Sequence, residues 1–254
     1  MKSQAIERYS KDFYESLDGT LLSAKIISTL VYDLVRPKSV VDVGCGKGIW
    51  LKQFEQLGVE QITGIDGKWI DKKDLLIPLA AFLERDLEKP IQINRKFDLV
   101  ISLEVAEHLP QSSAETFVHS LVNLGDVVLF SAAIPHQGGD HHVNEQWPDY
   151  WENLFKKFDF VIIDCVRRPM WDQKGIVYYY AQNCFLFVSK TTARYRELFE
   201  ISRNTSIGVS RAIHPGHYLQ KMRYLEDPKT LSTLGIRLLV AALTHAICSK
   251  FSRK

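Results

Sequence analysis

The stretch "SVVDVGCGKG", Ser39–Gly48, decides the fold. Its first half is apolar and β-branched, which suits a strand buried on both faces. Its second half puts glycines at 44, 46 and 48. That spacing lets the backbone turn sharply and approach a ligand closely. A strand running into such a turn and then a helix is the opening of a cofactor-binding α/β unit.

Working outward, apolar residues from Leu21 to Val35 recur at helical spacing, and Pro37 closes that helix. After the turn, "IWLKQFEQLG" reads as a helix that stops at Gly58. "QITGID", "AFLERDL", "KFDLVISLEV", "DVVLFSAAIP", "FVIIDCV" and "NCFLFVSK" read as further strands. "SSAETFVHSLVNLG" and "DYWENLFKKF" read as helices between them. Strands alternating with helices imply an α/β fold: a doubly wound, seven-stranded, mainly parallel sheet covered on both faces. The expected organisation is an N-terminal helical segment over residues 1–36, a cofactor-binding domain over 37–190 and a helical C-terminal extension over 191–254.

In such sheets ligands sit beyond the carboxyl ends of the strands. Asp66 ends the second strand, about 20 residues after the turn, where an acid binds both ribose hydroxyls. Asp86 ends the third strand, in reach of an adenine amino group. GxxxxGK[ST] is absent, which argues against a nucleoside triphosphate. The turn also lacks the later helix-packing glycine of GxGxxG, which argues against a nicotinamide cofactor.

Together "VVDVGCGKG", "GID", "RDL" and "FDLVISLEVAEHL" resemble the class I S-adenosylmethionine-dependent methyltransferases over Ser39–Lys190. The resemblance implies a Rossmann-like sheet with a reversed last hairpin. It implies that Gly44 and Gly46 line the methionine part of S-adenosylmethionine and that Asp42 orients the turn from below. Asp66 and Gly67 then meet the ribose, Asp86 and Leu87 face the adenine, and Leu103 closes the cofactor site from the fourth strand. Trp69 is placed to stack near the adenosine.

Two polar stretches leave neighbouring strands. "LEVAEHLP" carries Glu104, Glu107 and His108, and "PHQGGDHHVNEQWPDYW" carries His136, Asp140, His141, His142 and Glu145. Carboxylates at the mouth of a buried strand are costly to desolvate without a partner. One reading has Glu104 lining the cofactor pocket while Glu107 and His108 cap the next segment. Another makes the group a mixed O/N site for Mg²⁺, Mn²⁺, Fe²⁺ or Zn²⁺. Glu-x-x-Glu-His with a later His resembles the ubiquinone-pathway and small-RNA 3′-end 2′-O-methyltransferases, in which a metal grips neighbouring hydroxyls. That resemblance implies Glu104, Glu107, His108 and His142 as ligands, with His141 as the alternative to His142. Without a metal, Glu104, His141 and His142 are the candidate catalytic residues, since imidazole titrates near neutrality.

The chain also resembles bacterial methyltransferases thought to act on glycans or small metabolites. The expected reaction is O-methylation of a hydroxyl on such an acceptor. An RNA 2′-O-methyltransferase and a non-catalytic cofactor-binding partner are the rivals. Arg194, Arg196, Arg203, Arg211, Lys221 and Arg223 offer a basic set, but a net charge of +2 counts against a nucleic-acid partner. Four cysteines without a CxxC pair and a polar N-terminus read as a reduced, cytoplasmic protein. The apolar stretch 230–248, interrupted by Arg237 and His245, reads as a helix for dimerisation or for peripheral membrane contact.

Overall fold

A computed structural model describes residues 11–226 of the chain. The expected C-terminal helix, Cys248 and the first ten residues lie outside them. The described residues fall in two compact units, one ending at Ala212 and the other beginning at Ile213.

In the first unit, seven strands form one sheet in the order β3-β2-β1-β4-β5-β7-β6. They are β1 (Ser39–Val43), β2 (Gln61–Asp66), β3 (Phe82–Glu84), β4 (Leu99–Leu103), β5 (Val127–Ser131), β6 (Phe160–Ile163) and β7 (Phe185–Ser189). All pairings are parallel except those of β7, which runs antiparallel to both β5 and β6. The direction of winding reverses between β1 and β4, so the crevice for a ligand opens there.

Side chains alternate faces along each strand and so build two cores. Val40, Leu99, Ile101 and Leu186 join Ile27 and Val31 of α1 (Lys11–Val35) and Leu51 and Phe54 of α2 (Ile49–Gln56). Their neighbours Val41, Val100 and Phe187 join Phe117 and Leu121 of α3 (Ala114–Leu124) and Trp151 and Phe155 of α4 (Pro148–Lys156). Phe155 stacks on Phe187 at 3.9 Å between ring centroids. Residues on both sides of the sheet are thus apolar, which is why the strands read as continuous hydrophobic runs.

Some boundaries differ from the expected ones. The helix expected from Ser112 or Ser113 starts as a 3-10 turn over Gln111–Ser113, and the α-helix begins at Ala114. Asp86 lies two residues past β3 rather than at its end. Two short helices stand between β6 and β7: α5 (Arg167–Trp171) and α6 (Tyr178–Asn183). Because β7 runs backwards, this insertion emerges at the same sheet edge as the glycine turn. After β7 come α7 (Arg194–Thr205) and, in the second unit, α8 (Pro215–Glu226). Among the described residues no helix is long and apolar enough to cross a membrane.

Candidate active site

The glycine turn is fastened to the end of β2. Gly44 and Cys45 donate their N–H groups to the Ile65 carbonyl at 2.8 and 3.2 Å. Gly46 donates to Asp66 Oδ2 at 2.7 Å, and Gly67 donates to Asp66 Oδ1 at 2.6 Å. The carboxylate of Asp66 therefore ties the two loops into one rim. Burial raises its pKa, and these N–H groups and the Trp69 side chain work against that. The Trp69 indole lies against Gly67 and is 67 % exposed. Asp86 is exposed and pairs with Lys89 at 3.1 Å, while Leu87 is buried. Hydrogen bonding from Lys89 holds the Asp86 carboxyl below its ordinary range.

Gly44 has φ +85, and a Cβ there would run into both methyls of Val105. Gly44→Ala is expected to cost about 2–3 kcal/mol, from left-handed strain plus overpacking. A thermal unfolding curve measures this, and an unchanged midpoint would count against the reading.

Asp42 sits beneath the turn, 1 % exposed, with no partner for Oδ2 among the described residues. Burial and the nearby Asp66 push its carboxyl well above the usual range. The folded chain therefore keeps this proton after the unfolded chain has released it near pH 4. Stability must then fall as pH rises from there, until the folded chain releases the proton as well. Asp42→Asn is expected to flatten that slope, which for a single proton amounts to about 1.4 kcal/mol per pH unit. Urea titrations at pH 5 and pH 7.5 compare the two chains; parallel slopes would refute the assignment.

Leu103 is buried at the end of β4, and beyond it the chain turns at Glu104 with φ +54, left-handed for a side chain that rarely goes there. Glu104 N–H donates to Ser131 O at 3.0 Å and to Ser131 Oγ at 3.1 Å, which holds the turn in place. Glu107 follows within a 3-10 turn and is fully buried, and neither of its carboxylate oxygens makes a side-chain hydrogen bond among the described residues; the backbone N–H groups of Ala133 and of Glu107 itself act on it weakly. Burial, then the charge of Glu104, raise its pKa well above the usual range. It makes no capping bond.

Glu107, His108 and His142 each offer one ligand atom, and these lie within 4.8 Å of one another. The two imidazoles meet edge to face at 4.8 Å. His142 Nδ1 bonds Glu145 Oε1 at 2.9 Å, which leaves Nε2 for a ligand. Glu145 also accepts from the N–H groups of His136 (2.7 Å) and Gly138 (2.7 Å). Burial works to raise its pKa, and these partners more than offset it. Burial, then the neighbouring His142, hold the His108 ring below its ordinary pKa, against backbone groups of His141 and Asp140 that work to raise it. A neutral ring is the form that binds metal. The loop closes because Val143 and Asn144 donate to the Glu107 carbonyl at 2.9 and 3.0 Å. Gly139 leaves room for the His142 ring, which a Cβ would strike.

Of the four residues read as a ligand set, the structure groups three and sets Glu104 apart. His142 rather than His141 joins the group; His141 is exposed and contributes its backbone. Gln137 and Asn183, which bond Glu104, were not singled out in the sequence. The signal was available: both are amides beside apolar runs at the same sheet edge.

The methyltransferase domain family model matches residues 18–164, more than half of the chain. The chain belongs to this family. Its residues also align with the ubiquinone biosynthesis O-methyltransferase of Nitrosococcus oceani, 33% identical over 105 residues, covering 37% of this chain and 43% of that protein. The mitochondrial ubiquinone biosynthesis O-methyltransferase of Dictyostelium discoideum is 24% identical over 172 residues, covering 55% and 52%. The chain thus spans about half the length of these curated relatives. Among solved structures, DesVI of Streptomyces venezuelae superposes with a TM-score of 0.53 at 15% identity, covering 70% of this chain and 97% of that one. CalS10 of Micromonospora echinaspora, an amino pentose methyltransferase with S-adenosylmethionine bound, gives 0.52 at 12% identity, covering 72% and 98%. At such identities the likeness is one of fold. The fold of this methyltransferase is the Rossmann-like one expected from the glycine turn.

Proposed function

We propose that this methyltransferase moves the S-adenosylmethionine methyl group onto a hydroxyl, one of a neighbouring pair on a small metabolite or glycan, with help from a divalent ion. The observation that carries the second half is Glu107. A fully buried carboxylate with no cation and no side-chain donor on either oxygen among the described residues is costly to keep for packing alone. Beside it are two imidazoles, and His142 is oriented by the bond from its other ring nitrogen to Glu145, as metal-binding histidines are. The donor set fits a divalent ion such as Mg²⁺, Mn²⁺, Fe²⁺ or Zn²⁺. Such an ion supplies Lewis acidity that makes a hydroxyl easier to deprotonate.

The chain's own residues do the rest. Asp66 would accept the ribose hydroxyls, one at its open acceptor position and one in place of the exposed Trp69 side chain. The Gly44–Gly46 turn brings bare backbone to the methionine part, and Trp69 and Leu87 flank the adenosine. A sulfonium methyl is already activated, so holding the acceptor oxygen in line and near attack distance supplies much of the acceleration. The proton leaves toward His141, the exposed imidazole at the rim. Ubiquinone biosynthesis O-methyltransferases among the relatives support oxygen as the acceptor atom.

The test is methyl transfer from S-adenosylmethionine to a panel of catechols and sugar diols, with Mg²⁺ or Mn²⁺ and again with EDTA. Turnover that needs the ion is expected. Turnover indifferent to EDTA would remove the metal from the mechanism. Cofactor binding with no transfer to any acceptor would favour a non-catalytic binding module.

A further inference from the structure

The two carboxylates beyond β4 are treated differently by their surroundings. Glu107 side-chain oxygens make no side-chain hydrogen bond among the described residues, and only the backbone N–H groups of Ala133 and of Glu107 itself act on them. Glu104 makes several side-chain hydrogen bonds. Gln137 Nε2 donates to Glu104 Oε2 at 2.8 Å, and Asn183 Nδ2 donates to Glu104 Oε1 at 3.2 Å. Asn183 Nδ2 also donates to Gln137 Oε1 at 2.9 Å, and Gln182 Nε2 donates to Asn183 Oδ1 at 2.9 Å. Gln137, Gln182 and Asn183 are 6 %, 1 % and 3 % exposed. One amide comes from the loop after β5 and two from α6, so separate parts of the fold converge on a single carboxylate. Its backbone is meanwhile kept at φ +54 by Ser131. Strain of this kind persists only where the surroundings over-determine it.

We infer that Gln137 and Asn183 are positioning residues that hold Glu104 outside the ion's ligand set, so that Glu107, His108 and His142 alone bind the metal. The inference rests on the metal reading above and deepens it. A carboxylate that accepts hydrogen bonds from two fixed amides is already satisfied and has little to gain by moving. Three protein ligands rather than four would leave the ion more room for the two neighbouring oxygens of a diol. One ligating carboxylate leaves the centre with net charge +1, where a second would bring it to zero. The positive centre favours an ionised acceptor oxygen.

Manganese is the probe. Mn²⁺ is titrated into the full chain and its variants by calorimetry and by electron paramagnetic resonance, without acceptor. Glu107→Gln and His142→Ala are expected to weaken binding by about 100-fold or more, beyond the 10–100-fold that loss of an outer hydrogen-bond partner costs. Glu104→Gln is expected to stay within about threefold of wild type. Gln137→Leu with Asn183→Leu frees Glu104, and Mn²⁺ should then bind more tightly, by about threefold or more, because site charge tunes affinity. Adding Glu104→Gln to that pair should cancel the gain, which a purely structural role for the amides would not produce. If the Glu104→Gln chain does not fold, Glu104→Ser takes its place. A loss for Glu104→Gln equal to that for Glu107→Gln overturns the inference. So does unchanged or weaker binding in the double-leucine variant. A wild-type chain that binds no Mn²⁺ overturns the metal reading itself, and the inference with it.

Discussion

Replacing Asp66 with alanine is expected to weaken S-adenosylhomocysteine binding by about 100-fold or more. Asp66 is 5 % exposed at the end of β2, and each of its oxygens already accepts one backbone N–H. A carboxylate accepts about four hydrogen bonds, and Gly46, Gly67 and the exposed Trp69 side chain take three, so one position is open and the second ribose hydroxyl would take the place of Trp69. Hydrogen bonds to a charged group contribute about 1.5–3 kcal/mol each. Two of them amount to about 3 kcal/mol or more, which is over two orders of magnitude in Kd. The same change leaves the Gly46 and Gly67 N–H groups without their acceptor, so the rim that shapes the site loosens as well. Asp66→Asn keeps one acceptor oxygen and is expected to fall between. Calorimetry gives the affinities, and circular dichroism checks that the fold survives. A folded Asp66→Ala chain with near wild-type affinity would show that the ribose is held elsewhere.

Arg167→Leu is expected to destabilise the chain by about 3–5 kcal/mol, the cost of breaking a buried ion pair from one side. Arg167 is fully buried. Its Nε and Nη2 donate to the two oxygens of Asp164 at 3.0 and 2.7 Å. Its other donors reach the carbonyls of Val209 (2.7 Å), Ser210 (3.2 Å) and Gln182 (3.4 Å). The guanidinium lies over the Phe185 ring at 4.2 Å. Asp164 in turn accepts from Ser206 Oγ and the Ile207 N–H, both at 3.1 Å. One cation thus pins the 206–210 segment and the end of α6 to the sheet. Leucine fills the space, leaves the Asp164 carboxylate without its cation and takes the guanidinium donors from three carbonyls. Arg167→Lys keeps the charge but not the planar fork, and should recover only part of the loss. Because Gln182 belongs to the amide cluster around Glu104, damage should reach the site too. Urea unfolding gives the size; a loss under about 1 kcal/mol would mean that solvent replaces these bonds.

Much of this was legible in the amino-acid sequence for a physical reason. Strands buried on both faces must be apolar throughout, so "SVVDV", "LVIS" and "FLFVS" announce themselves. The glycines of the turn and the acid at the end of β2 have fixed spacing because the fold sets the distance between them. The α5–α6 insertion was not legible. Helices of five and six residues are too short to show a period. Glu104 and Glu107 look alike in "LEVAEHL", and only tertiary neighbours tell them apart. The amides that bond Glu104 are 33 and 79 residues away in the chain. Glu107 has no such side-chain hydrogen bond among the described residues. The choice between His141 and His142 likewise turned on the tertiary grouping, since His142 and not His141 lies with Glu107 and His108.

The most direct single measurement is a crystal structure grown with S-adenosylhomocysteine and Mn²⁺, with diffraction collected at the manganese edge. The adenosyl group should lie in the crevice between Gly44 and Asp66, with its ribose on the Asp66 carboxylate. One anomalous peak should stand among Glu107, His108 and His142. Adenosyl density elsewhere, or a crevice left empty at saturating ligand, would contradict the central claim.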